Sequence, residues 1–82
     1  MQELRLKEFS TIDLCLATTL SIWFPIERLD RIQDSKKVTF VFGDSKKLQL
    51  FLKEYWAEKI QVEPKRFFNS LKTLKGRLYS NE

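Results

Sequence analysis

The clearest hydrophobic pattern along the chain is a short apolar run followed by a stretch with helical periodicity. Five β-branched or aromatic residues at positions 38–42 predict a strand that is buried on at least one face. Asp44 or Ser45 can then cap a helix. The apolar stripe of this helix follows the spacing i, i+3, i+4, i+7 and i+8 and consists of Leu48, Phe51, Leu52, Tyr55 and Trp56. Because Trp56 is on the stripe, we expect it to pack in the core.

A second amphipathic helix is predicted near the C-terminus. Pro64 suits its first turn, where the missing N–H of proline costs nothing. Apolar residues then recur at i, i+4, i+7 and i+11, which places them on one face: Phe67, Leu71, Leu74 and Leu78.

The start of the chain predicts an earlier helix over residues 11–21. Ser10 can cap it, with Asp13 three residues later completing a capping box, and Phe9 and Leu14 occupy the hydrophobic-staple positions. Ile12, Leu16 and Leu20 share one stripe of this helix. Cys15 is surrounded by apolar residues in the sequence, so we expect its thiol to be buried.

The strand at residues 38–42 needs a partner, and residues 26–32 are the best candidate. Ile26, Leu29 and Ile32 have a helical spacing, but Pro25 and the short length favour a strand. It would pair with the apolar run across a polar turn at residues 33–37. A weak alternation at Leu4 and Leu6 indicates a further short strand. The prediction is an α+β domain over residues 1–82, ordered helix, β-hairpin, helix, helix, with the helices packed on one face of a short antiparallel sheet.

Composition excludes several classes of function. At 82 residues the chain has room for one core, and its aromatic content of 13% helps a small chain to bury enough area. With no His and one Cys, the chain has no zinc site and no intramolecular disulfide, and nothing indicates a cofactor. Neither a glycine-rich phosphate loop nor a nucleophile with a nearby base is visible, so we expect no enzyme. The single thiol and the lack of a long apolar run indicate a cytoplasmic protein outside the membrane.

The net charge of +4 is confined to the end of the chain. Residues 1–63 hold ten Lys or Arg and ten Asp or Glu, whereas residues 64–82 hold five cations and only one acid, Glu82. Five cations without intervening acids attract phosphates, and aromatic side chains beside them can stack on exposed bases. The candidate nucleic-acid-binding residues are therefore Lys65, Arg66, Lys72, Lys75 and Arg77 with Phe68 and Tyr79.

Several stretches also carry a resemblance to a known family. They are FSTIDLCLA at 9–17, VTFVFGDS at 38–45, Tyr55-Trp56, and FFNSLKTLK at 67–75 continuing through Tyr79 and Ser80. In these stretches the chain resembles small bacterial and phage-borne domains of a family of unknown function. The resemblance implies a stand-alone fold of about this size and transfers no activity.

These observations lead to one main hypothesis and its alternatives. The main hypothesis is a non-catalytic binding module that contacts nucleic acid phosphates through its basic C-terminal helix as an accessory of a larger complex. DNA and RNA, single and double strands, and the oligomeric state stay open. The alternative is a protein-interaction or self-associating module that uses a sheet edge or the Tyr55 and Trp56 region. In that case the basic face only confers solubility, and Phe68 and Tyr79 belong to a wide core stripe. A third option is a small acid-binding protein or a protein that binds a phosphate ligand.

Overall fold

Three strands and three helices make up the part of the chain that the computed structural model describes, residues 7–31 and 36–80. In chain order they are β1 (Glu8–Thr11), α1 (Leu14–Trp23), β2 (Ile26–Arg31), β3 (Val38–Gly43), α2 (Lys46–Trp56) and α3 (Pro64–Tyr79). The predicted α+β class is confirmed. The predicted strand at Leu4 and Leu6 and most of the predicted turn at 33–37 lie outside the described residues.

The apolar run predicted as a buried strand is β3, the middle strand of an antiparallel sheet with the order β1-β3-β2. β2 and β3 form the predicted hairpin, and β1 pairs along the other side of β3. Phe40 and Phe42 are fully buried on the face of the sheet that the helices cover. The central position of β3 follows from its composition, because it is the only described strand without a charged residue.

A β-bulge explains why residues 26–32 have a mixed pattern in the sequence. Ile26 pairs with Phe42 and Leu29 pairs with Phe40, and the register shifts between Ile26 and Arg28. Residues three apart in an unbroken strand point to opposite faces. The extra residue, Glu27, restores the alternation, so that Ile26 and Leu29 both pack against the core.

One hydrophobic cluster joins all three helices to this face of the sheet. Its buried members come from α1, β3, α2 and α3, and they are Leu16, Ala17, Leu20, Phe40, Phe42, Leu48, Leu52 and Leu74. Trp23 and Phe24 at the end of α1 pack against the Phe51 ring of α2, with ring centroids 5.1 and 5.6 Å apart. The predicted packing of the helices on one face of the sheet is therefore confirmed.

The start of α1 differs from the prediction. Ser10 is not the cap; it is in β1, where it pairs with Val41, and Ile12 precedes the helix and is exposed. The N-cap is Asp13, whose Oδ1 accepts a hydrogen bond from the Leu16 N–H at 3.2 Å. The prediction failed because the capping-box pattern is local, whereas pairing with β3 extends the backbone of residues 8–11.

The outer face of the sheet carries an ion-pair bridge. Arg28 of β2 donates to both carboxylate oxygens of Glu8 on β1, at 2.6 and 3.0 Å, and to Asp30 at 3.0 Å. Since β3 lies between β1 and β2, the Arg28 side chain crosses over β3. Val41, which pairs with Arg28 on β3, is only 2% exposed although it lies outside the main cluster. The hydrogen bond from Arg28 lowers the pKa of Glu8 below its ordinary value of 4.5.

Mutation of the two cap candidates tests whether Asp13 is the N-cap of α1. We expect Asp13→Ala to lower the free energy of unfolding by about 1 kcal/mol, since it removes the acceptor for the Leu16 N–H. Ser10→Ala is the matched control and should change it by less than about 0.5 kcal/mol, because Ser10 is an exposed strand residue. Urea denaturation measures both. The reverse ranking would restore Ser10 as the cap.

The pH dependence of the stability of Glu8→Gln tests the ion pair between Glu8 and Arg28. The pKa of Glu8 is lower in the folded than in the unfolded chain, so the ion pair with Arg28 stabilises the fold fully above pH 4.5. This stabilisation is lost as the pH falls through the folded pKa. Wild type should therefore exceed Glu8→Gln in stability at neutral pH, and the difference should vanish in acid. In an Arg28→Ala background the difference should be small at every pH; a difference that persists there would refute the bridge.

Candidate functional site

Charged side chains hold both ends of α3. At its start Glu63 is the N-cap and accepts a hydrogen bond from the Arg66 N–H at 3.0 Å, and Pro64 occupies the first helical position as predicted. At its end Arg31 of β2 donates through Nη2 to the carbonyls of Arg77, Leu78 and Ser80 at 3.3, 2.8 and 3.1 Å. The Arg77 carbonyl also accepts hydrogen bonds from the N–H and the Oγ hydroxyl of Ser80, at 3.3 and 3.0 Å. Arg31 therefore adds to the capping of the helix terminus and ties it to the sheet.

The apolar stripe of α3 faces the body of the domain. Leu74 is buried in the main cluster, Leu78 packs against that cluster, and Phe67 and Leu71 are half-buried. α3 lies against α1 on this side. The stripe predicted from the sequence is confirmed, and it determines which half of the helix circumference faces solvent.

The cations of α3 project from that outward half. Lys65, Arg66, Lys72 and Lys75 are exposed, and none of them forms an ion pair with an acid among residues 7–31 and 36–80. Arg77 is half-buried. Acids from neighbouring elements therefore leave these four charges uncompensated within the described part of the chain.

Four candidate residues share one side of the helix, which we call the lysine–aromatic strip: Phe68, Lys72, Lys75 and Tyr79. Phe68 and Tyr79 are 57% and 83% exposed, so the alternative in which they belong to a wide core stripe is wrong. The Lys72 ammonium lies 5.5 Å from the centroid of the Phe68 ring, which is a cation–π contact. At about 100° per residue, all four fall within an arc of about 60°.

The other three candidates line a separate groove. Arg66 and Arg77 lie on the opposite border of the apolar stripe, whereas Lys65, in the first turn, lies only about 20° from Lys72 around the helix axis. Lys65, Arg66 and Arg77 form part of its α3 wall, together with Asn69, Ser70 and Thr73. The opposite wall includes Ser21 of α1 and Ile26 of β2, and the open volume is about 560 Å³. The seven residues predicted as one site thus belong to two surfaces, and the strip and the arginines are separated by roughly 160° around the helix axis.

The groove contains polar residues that the sequence reasoning missed. Ser70 and Thr73 lie four and seven residues after Arg66, so a helical wheel places them beside Arg66 and Arg77. Their helical spacing from Arg66 could therefore have identified both residues from the sequence as neighbours of the two arginines. Ser21 comes from a distant part of the chain, and only the packing of α1 on α3 brings it to the groove.

The Tyr55 and Trp56 region corrects two further expectations. Trp56 is 65% exposed instead of packing in the core, and its ring meets the Tyr55 ring edge to face at 4.9 Å. Cys15 is exposed instead of buried, and its sulfur accepts a hydrogen bond from the Tyr55 hydroxyl at 3.4 Å. Burial raises the pKa of Tyr55, and this hydrogen bond to Cys15 raises it further. An open pocket of about 570 Å³ at the end of α2 is lined by Cys15, Tyr55 and Trp56.

A model for a domain of unknown function, DUF5659, matches residues 6–80, nearly the whole chain. The chain belongs to this family. Membership confirms the resemblance to a family of unknown function, and the family description names no activity. The stretches that carried the resemblance include the β3 strand, the Tyr55-Trp56 pair and much of α3.

Comparison with individual proteins adds no function. No curated protein and no solved structure matches this DUF5659 domain. In the described residues, no helix is both long enough and apolar enough to cross a membrane. The same residues contain no group of three or more His, Cys, Asp or Glu side chains that could hold a metal ion.

Proposed function

We propose that this DUF5659 domain is a non-catalytic cytoplasmic binding module that contacts the phosphates of nucleic acid through the outward half of α3, as an accessory of a larger complex. One observation carries the proposal. Lys65, Arg66, Lys72 and Lys75 are exposed on one helix, and no acid of the described residues pairs with them.

Uncompensated cations gain free energy from contact with a polyanion. Exposed ammonium and guanidinium groups are well hydrated and add little to the stability of the fold. Brought against a phosphate backbone, each one releases a condensed counterion, which favours binding. A helix of 16 residues is about 24 Å long, so its cations can contact several successive phosphates.

The anchoring of α3 supports the same function. Glu63 accepts a hydrogen bond from a backbone N–H at its start, and Arg31 donates to backbone carbonyls at its end. Leu74 packs the middle of the helix into the core. A fixed helix presents its charges without a large ordering cost on binding. Lysine acts as a point charge and reads no base edge, so we expect little sequence specificity.

Charge reversal on α3 tests the proposal. The variant Lys65→Glu, Lys72→Glu, Lys75→Glu should lose nucleic acid binding, by at least about a hundredfold in Kd, because attraction becomes repulsion. Fluorescence anisotropy with labelled oligonucleotides at low salt measures the affinity. Circular dichroism should show an intact fold, since all three residues are exposed.

The matched control reverses the same number of charges elsewhere. Lys46, Lys47 and Lys59 are exposed on α2 and the following loop, and changing all three to Glu alters the net charge by the same amount. Glutamate in the first turn of α2 also suits the helix dipole. We expect this control to keep most of the wild-type affinity. If both variants bind equally well, α3 is not the contact surface.

Trp56 favours a second candidate function, a protein-interaction or self-associating module. A side chain of this size that is 65% exposed resembles the aromatic anchors of protein interfaces. The Tyr55 ring supports it from one side. The Trp56 contact would be independent of the charges on α3, so the two functions make separable predictions.

Self-association through Trp56 is tested by sedimentation of the wild type and of Trp56→Ala over a range of concentrations. This candidate predicts a concentration-dependent dimer that Trp56→Ala abolishes and that moderate salt leaves intact. Leu50→Ala is the control, because Leu50 is an equally exposed apolar residue of α2. A wild type that stays monomeric throughout, or a dimer that both variants keep, would contradict a self-associating role for Trp56.

A further inference from the structure

The two aromatic residues of the lysine–aromatic strip face the same direction. Phe68 and Tyr79 are eleven residues apart, which is about three helical turns and about 16 Å along the axis. More than half of each side chain is exposed, at 57% and 83%. The domain therefore displays two aromatic rings in a row beside the cations of the same helix.

Lysines lie between the two rings. Lys72 and Lys75 occupy the intervening turns, and the Lys72 ammonium is 5.5 Å from the Phe68 ring centroid. This contact restrains the Phe68 ring and places a positive charge next to its face. Along the strip the order is ring, cation, cation, ring.

This order matches the chemistry of an unpaired strand better than that of a duplex. A duplex covers the faces of its bases, and an aromatic side chain reaches them only by unstacking a base step. A helix that reads duplex DNA instead presents polar side chains to base edges. In a single strand the base faces are accessible, and aromatic side chains that flank cations bind them by stacking.

We infer that the lysine–aromatic strip is a binding site for single-stranded nucleic acid, with bases stacked on Phe68 and Tyr79 and phosphates held by Lys72 and Lys75. This inference rests on the proposed function and specifies its ligand. The strand follows the strip along α3, and the groove lined by Arg66 and Arg77 lies outside its path, on the other border of the apolar stripe.

The first test compares two ligands and needs no variant. Affinities of the wild-type chain for a labelled single strand of twelve nucleotides and for the duplex of the same sequence are measured by anisotropy at one salt concentration. We expect the single strand to bind at least about tenfold more tightly. Equal binding, or tighter binding of the duplex, overturns the inference and leaves the proposed function in place. Binding of neither ligand removes the proposed function and this inference together.

The second test removes the rings. Phe68→Ala and Tyr79→Ala should each weaken single-strand binding by about fivefold or more, the smaller end of the effect of losing one stacked base. Phe68→Tyr and Tyr79→Phe should restore it, because stacking needs the ring and not the hydroxyl. Leu50→Ala removes a similarly exposed apolar side chain from outside the strip and should leave the affinity unchanged. Wild-type affinity in both alanine variants, with the fold intact by circular dichroism, contradicts stacking on the strip.

Discussion

The burial of the apolar stripe of α3 is the interaction on which the rest of the account depends. Leu74 is 2% exposed in the cluster that also contains Leu16 and Leu20 of α1. An amphipathic helix has one low-energy orientation against such a core, because rotation would expose leucine and bury lysine without a partner. The exposure of the cations therefore follows from the packing of the leucines.

The sheet stabilises this orientation of α3 through the same hydrophobic cluster. β3 contributes Phe40 and Phe42 to the same cluster, and its neighbours β1 and β2 protect its two sides. β2 does more than complete the sheet, since Arg31 at its end satisfies three carbonyls at the C-terminus of α3. Arg28 links β2 to β1 over the outer face. The position of the candidate surface is thus fixed by contacts at both ends of α3 and along its buried side.

Local sequence rules predicted the elements that depend on local interactions. α2 and α3 have regular apolar spacing, and Ser45 and Pro64 mark their starts, so both helices were predicted close to their observed bounds. β1 was missed because Glu8–Thr11 contains one large apolar residue, Phe9, and is a strand only through its pairing with β3. The same pairing displaced the predicted cap from Ser10 to Asp13. These misses share a cause, since contacts between distant segments are not encoded in a short window.

The residues of the candidate site could be proposed from the sequence, but their division between two surfaces could not. Charge counting selected the five cations and helical position added Phe68 and Tyr79, yet only the observed packing divides the seven residues between the strip and the groove. Trp56 illustrates the limit of the helical wheel, because it lies at the border of its stripe and at the last residue of α2, where the core no longer covers it. Cys15 has apolar neighbours in the sequence, but consecutive helical residues point in different directions.

The salt dependence of binding tests the central claim most directly, because counterion release reports the number of phosphates that the cations contact. If the lysines of α3 contact two or three phosphates of a single strand, log K should fall with log salt with a slope of roughly −1.4 to −2. Binding whose affinity is the same at low and moderate salt would contradict the account, since it would show that the charges of α3 take no part.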